Sequence, residues 1–224
     1  MKMETKDKKS KVRKIKGPDR KEWLRELASG DAFYYLTIDL VKLFFKEDMD
    51  PKSWIPGQSS ITGIGRNKTS NFSDAVCRAG DINMILHMDT APVPDMNVLW
   101  DYSAAMIVFR GSSQSEGAQP RRSLLVFITE HSSLEGKWCN RMTWCRSEGL
   151  DEENDFEECP TGPNILIIDL ENFQKQVSVP ESFLEQFLKI LAESRTLDEA
   201  REAVAAAVEK QYQTGLDEIS KEKD

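Results

Sequence analysis

The chain has 224 residues, with 30 Lys and Arg against 38 Asp and Glu, a formal net charge of −8. Hydrophobic residues make up 39% and charged residues 30%, polar but compatible with one sizeable core. No apolar run approaches the roughly 20 residues a membrane span needs, and no apolar signal segment follows the opening Met-Lys-Met-Glu-Thr-Lys-Asp-Lys-Lys, so the reading excludes a membrane or secreted protein and expects an intracellular one, cytoplasmic or nuclear.

The charge is unevenly spread. Residues 1–22 hold ten Lys and Arg and four Asp and Glu, a net of +6, which leaves −14 on residues 23–224. A basic tail on an acidic body points to a macromolecular partner. Residues 1–17 show no apolar periodicity and are expected to be a disordered tail. Lys8, Lys9, Lys11, Arg13, Lys14 and Lys16 are its candidate contacts to a protein or nucleic acid. The plainer alternative is a solubilising tail. Residues 18–220 are expected to form one α+β domain.

Gly17-Pro18-Asp19 opens a short helix to about Ala28, with Trp23, Leu24 and Leu27 on its apolar face. Ser29-Gly30-Asp31 is expected to stop it and cap the next. Over 32–47, Phe33, Leu36, Leu40 and Phe44 recur at helical spacing, and Asp50-Pro51 ends the helix. The stretch 48–80, punctuated by Pro51, Pro56, Gly57, Gly63 and Gly65, reads as irregular, with a helical turn over 73–79.

Inside that stretch lies Gly63-Ile64-Gly65-Arg66-Asn67-Lys68-Thr69-Ser70. Two glycines let backbone N–H groups approach an anion, Arg66 and Lys68 add charge, and Thr69 adds a hydroxyl. Gly63, Gly65, Arg66, Lys68 and Thr69 are therefore candidate phosphate-binding residues. The Gly-x₄-Gly-Lys-Ser/Thr pattern of a Walker A loop does not fit, and an ordinary surface loop is the plainer alternative.

A strand is expected over 82–88, with His87 as a satisfied interior group, and then an extended linker over 91–95. Three consecutive strands follow, over 104–110, 123–129 and 137–145, as a central meander. Ala-Met-Ile-Val-Phe and Leu-Leu-Val-Phe-Ile are short apolar runs of buried strands. The third alternates, which puts Trp138 and Trp144 in the core and Lys137 and Arg141 in water. The acidic stretch 148–158, seven acids in eleven positions, reads as a solvated loop. Ile165-Leu166-Ile167-Ile168-Asp169 is a buried strand with an acidic tip. Capping boxes at Ser178–Glu181 and Thr196–Glu199 open two helices that close the chain as an αα-hairpin. The expected fold is thus α+β: amino-terminal helices, a mostly antiparallel sheet of about five strands and the carboxyl-terminal hairpin.

Cys77, Cys139, Cys145 and Cys159 lack the close Cys-x₂₋₄-Cys pair of a structural zinc site and are expected to be reduced thiols; no metal site is predicted. The best catalytic candidates are acids at strand ends: Asp101, Glu130 and Asp169, with Glu171 beside them. Acids on neighbouring strand ends can bind Mg²⁺ and cleave phosphodiesters. The arrangement resembles that of restriction-endonuclease-like nucleases, which place a lysine two residues after the second acid; Ser132 stands there in this chain. His131 beside Glu130 is a candidate general base, with a solvent-facing turn as the plainer reading. Taken together, the residues favour a non-enzymatic interaction protein needing no cofactor. A divergent Mg²⁺-dependent nuclease or phosphodiesterase is the alternative, and a nucleotide or phosphate binder using 63–70 the third. The oligomeric state is not legible.

Overall fold

The computed structural model describes residues 20–57, 61–64, 69–72, 75–89, 122–130, 137–143, 146–149 and 164–221. The basic tail, the linker over 91–95, the expected strand at 104–110 and most of the acidic stretch lie outside them. The first helix, α1 (Arg20–Leu27), buries Trp23, Leu24 and Leu27. The second, α2 (Gly30–Phe45), buries the anticipated Phe33, Leu36, Leu40 and Phe44. Ser29 is the N-cap residue of α2, as expected, but its side chain makes no capping bond. Its hydroxyl donates to the Glu26 carbonyl at 2.8 Å and so closes α1 instead. Lys46 ends α2 in the left-handed region, at φ 60°, with its N–H on the Lys42 carbonyl.

The described residues of 48–80 are mostly in strands, not irregular. A 3-10 turn, Pro51–Ser53, leads into β1 (Trp54–Pro56). A separate hairpin of β2 (Ile61–Ile64) and β3 (Thr69–Phe72) follows. The helical turn expected at 73–79 is a strand, β4 (Ala75–Ala79), held between β1 and β5 (Ile82–Asp89). Strands of three to five residues are too short to show a period, and β4 owes its conformation to the ladders on both sides.

The remaining strands are β6 (Arg122–Thr129), β7 (Cys139–Thr143), β8 (Arg146–Gly149) and β9 (Asn164–Asp169). The main sheet has the order β1-β4-β5-β6-β9-β7-β8. Here the expected meander fails, because β9 inserts between β6 and β7. Strand β6 pairs β5 and β9, both in parallel, while every other ladder is antiparallel. The physical reason is visible in the composition. Residues 124–128 of β6 and 165–168 of β9 are apolar at every position because both faces of a central parallel strand are covered.

Three helices complete the described fold: α3 (Leu170–Gln176), α4 (Phe183–Glu193) and α5 (Leu197–Lys221). The last two form the expected αα-hairpin, packed through Leu188, Leu191, Ala200 and Val204. The capping box of α4 lies four residues later than expected. Ser182 accepts from the Glu185 N–H, and Glu185 reaches back to the Ser182 N–H. Thr196 caps α5 through the Glu199 N–H.

The buried residues of the five helices join one core with alternate residues of the sheet: Met84, Leu86 and Met88 on β5, Leu124, Val126 and Ile128 on β6, Leu166 and Ile168 on β9. The opposite face is buried too, through Ile85, Leu125, Phe127, Ile165 and Ile167, together with the polar Asn83, His87 and Thr129. Arg141 is a correction: it is buried rather than in water. The alternation of β7 puts it with Cys139 under the end of α2, where its Nη2 donates to the Leu43 carbonyl at 2.9 Å and its guanidinium lies 5.8 Å from the Phe44 ring centre. Lys137 is exposed as expected, and Trp138 is half-buried against Phe173. Among the described residues no helix is long and apolar enough to cross a membrane.

Candidate functional site

Parallel strands deliver their carboxyl ends to one edge of the sheet, where ligands of open α/β sheets commonly bind. Thr129 is the register partner of Asp169 there, and the Glu171 N–H donates to the Glu130 carbonyl at 3.1 Å. The structure therefore places Glu130, Asp169 and Glu171 in one neighbourhood. Asp101 lies outside the described residues.

Each of the three acids is engaged. Asp169 is buried and caps α3: Oδ1 accepts from the Asn172 N–H at 2.9 Å, and Oδ2 from Asn172 Nδ2 at 3.0 Å. Glu130 meets Arg20 Nη1 at 3.2 Å. The same guanidinium donates to the Leu191 and Ala192 carbonyls, both at 3.0 Å, and so pins α1 to the end of α4. Glu171 pairs with Lys175 one turn on, at 2.7 Å. Glu130 thus reaches the helix layer, whereas Asp169 follows the alternation of Ile165 and Ile167 on the other face. A cavity of about 210 Å³ at this end is lined by Arg20, Glu130, Leu170, Glu171, Gln174 and Ala192.

Of the phosphate candidates, Gly63 lies on β2 and Thr69 on β3, opposite Ser70 and Ile64 respectively. Gly65, Arg66 and Lys68 are outside the described residues, as are Lys8, Lys9, Lys11, Arg13, Lys14, Lys16 and His131. His87 is buried on β5 with its ring centre 4.6 Å from that of Phe127. Cys77 and Cys139 are buried free thiols. Burial pushes the Cys77 thiol up to about 12, against the opposing bond to Thr37, and burial pushes Cys139 up as well.

Two features escape a sequence reading. Asp89 is the register partner of Thr129, so Asp89, Thr129 and Asp169 form one row across the ends of β5, β6 and β9. An acid closing the apolar run of β5 was the available signal. The second is Asp39, on α2, whose Oδ2 accepts the Leu184 N–H at 2.7 Å. Burial raises its carboxyl above the ordinary 3.8, although the backbone N–H groups of Leu184 and Phe183 pull the other way. Nothing in the spacing of α2 marks it, because its partner is 145 residues away.

No protein-family model matches the chain, and no curated protein or solved structure is significantly similar to it.

Proposed function

We propose that the protein is a non-enzymatic interaction protein, in which an acidic body carries a basic amino-terminal tail that contacts a macromolecular partner. The charge division carries this reading: +6 on residues 1–22 against −14 on the remainder. The engagement of the strand-end acids supports it, since Glu130 and Asp169 hold α1 and α3 in place. The exposed end of α5 supports it too. Beyond the buried Ala207, Tyr212 and Leu216 stand one turn apart on the surface, 56% and 44% exposed. Buried free thiols at Cys77 and Cys139 fit an intracellular location, cytoplasmic or nuclear.

The test is a fluorescence-anisotropy titration of labelled duplex DNA, single-stranded RNA and polyglutamate at several salt concentrations. The comparison is with the variant carrying Gln at Lys8, Lys9, Lys11, Arg13, Lys14 and Lys16. The expected result is binding to at least one polyanion, weakening with salt and lost in the variant; for duplex DNA the log–log slope is about −0.9 per phosphate neutralised. Equal binding by the variant contradicts the role of the tail.

One observation favours a second reading, a Mg²⁺-dependent phosphodiesterase. The row Asp89–Thr129–Asp169 sits at the carboxyl ends of three adjacent parallel strands, with its two acids two strand spacings apart, roughly 10 Å between Cα atoms.

A further inference from the structure

A cavity of about 400 Å³ opens between the carboxyl-terminal half of α2, the start of β7 and the amino terminus of α4. That volume suits a small ligand. Its apolar lining is Leu43, Leu184 and Trp138; its charged lining is Asp39, Lys42, Lys46, Glu181 and Glu185. Trp138 packs edge-on to Phe173, with ring centres 5.3 Å apart, so its indole is held in place.

The charges discriminate between ligand classes. An anion would find little here, because the end of α4 is already answered. The Leu184 N–H goes to Asp39, the Glu185 N–H to Ser182 Oγ and the Gln186 N–H to the Ser182 carbonyl. It would also face three carboxylates. Of the two ammonium groups, Lys42 lies 3.6 Å from Asp48, a carboxylate that is not part of the lining. The Asp39 carboxyl is raised above its ordinary value, by burial first and also by Glu185, against the Leu184 and Phe183 N–H groups and Lys42. A bare metal ion is a poor fit to walls of indole and leucine, since hard cations demand oxygen on most sides. An organic cation matches both the carboxylate and the aromatic wall.

We propose that this cavity binds a small organic cation, an ammonium or guanidinium group on an apolar stem, with Asp39 as its counter-ion and Trp138 as the wall for the stem. The cation is either a free amine or the side chain of a Lys or Arg presented by a peptide. This site is separate from the tail and stands or falls independently of it.

The experiment follows the Trp138 indole N–H by two-dimensional NMR of the full chain, assigned through Trp138→Phe. The probes are phenethylammonium, butylguanidinium, the neutral isostere 2-phenylethanol and a blocked tripeptide with a central Lys. Saturable shifts are expected with cationic probes, at about tenfold higher affinity than with the alcohol. Asp39→Asn should abolish that preference, and because Asn still offers an oxygen to the Leu184 N–H, a cooperative thermal transition no lower than that of the wild type verifies the fold. Lys42→Glu, at an exposed position, should tighten cation binding a few-fold. Response to the amines but not the peptide assigns a free small molecule; response to the peptide assigns a partner's side chain. Equal affinity for the alcohol, no saturable shift with any probe, or a preference that survives Asp39→Asn overturns the proposal.

Discussion

Arg20 Nη1 lies 3.2 Å from Glu130 Oε1 while Nε and Nη2 of the same guanidinium hold the last carbonyls of α4. One side chain thus joins α1, α4 and the end of β6. Its two carbonyl bonds are half-buried, and the ion pair is about a quarter exposed, at 24% and 29%. The pair itself is therefore worth little, and the carbonyl bonds dominate. Arg20→Ala is expected to cost about 1–3 kcal/mol and Glu130→Ala about 0–1 kcal/mol in urea unfolding. Equal costs would show that Glu130 has a further stabilising role.

Asp169 tests the capping account. Asp169→Ala removes the acceptors for both the Asn172 N–H and Asn172 Nδ2 and should cost about 1–2 kcal/mol, whereas Asp169→Asn keeps an oxygen for the N–H and should cost less. The comparison is made by thermal and urea unfolding. If Asn is as damaging as Ala, the bond from Asn172 Nδ2 to the second carboxylate oxygen matters as much as the cap.

How legible was this in the sequence? Four of the five described helices were, because Phe33, Leu36, Leu40 and Phe44 mark a stripe and Thr196–Glu199 marks a cap, whereas α3, which follows β9 without a break, was not. Apolar runs also announced β6 and β9. Their neighbours were not readable. Consecutive strands suggest a meander, but only the ladder shows Asp169 beside Thr129 and β7 displaced beyond β9. Alternation alone placed Arg141 in water; the Leu43 carbonyl that receives it is 98 residues away. The same limit hid the site features. Asp39 and Leu184, or Arg20 and Glu130, become neighbours only through tertiary packing.

The raised Asp39 carboxyl has a consequence for stability against pH. The folded chain binds this proton more tightly than the unfolded one, so between 3.8 and the folded value the native state holds more protons and stability falls as pH rises. Above that window the group is a constant penalty. Asp39→Asn should remove the slope. The stability of the wild type relative to the variant is therefore expected to improve from about pH 7 to about pH 4. A difference that moves the other way would mean that the Leu184 and Phe183 donors outweigh burial.

Cys77 and Cys139 should be inert in the native state. Both are buried, and their thiols are pushed up by burial, Cys77 to about 12, so the reactive thiolate is scarce at neutral pH. Iodoacetamide labelling followed by peptide mass spectrometry should find both unmodified without denaturant and modified in its presence. Rapid native labelling of either would show that this part of the core opens locally.

The central claim is that the strand-end acids serve the fold and that the protein acts by association. The most direct measurement is incubation with Mg²⁺ or Mn²⁺ and mixed DNA and RNA substrates, beside Asp101→Ala, Glu130→Ala and Asp169→Asn. The account predicts no cleavage by the wild type, or a trace that is the same in all three variants. Cleavage by the wild type that disappears in those variants would contradict it and make the strand-end acids catalytic.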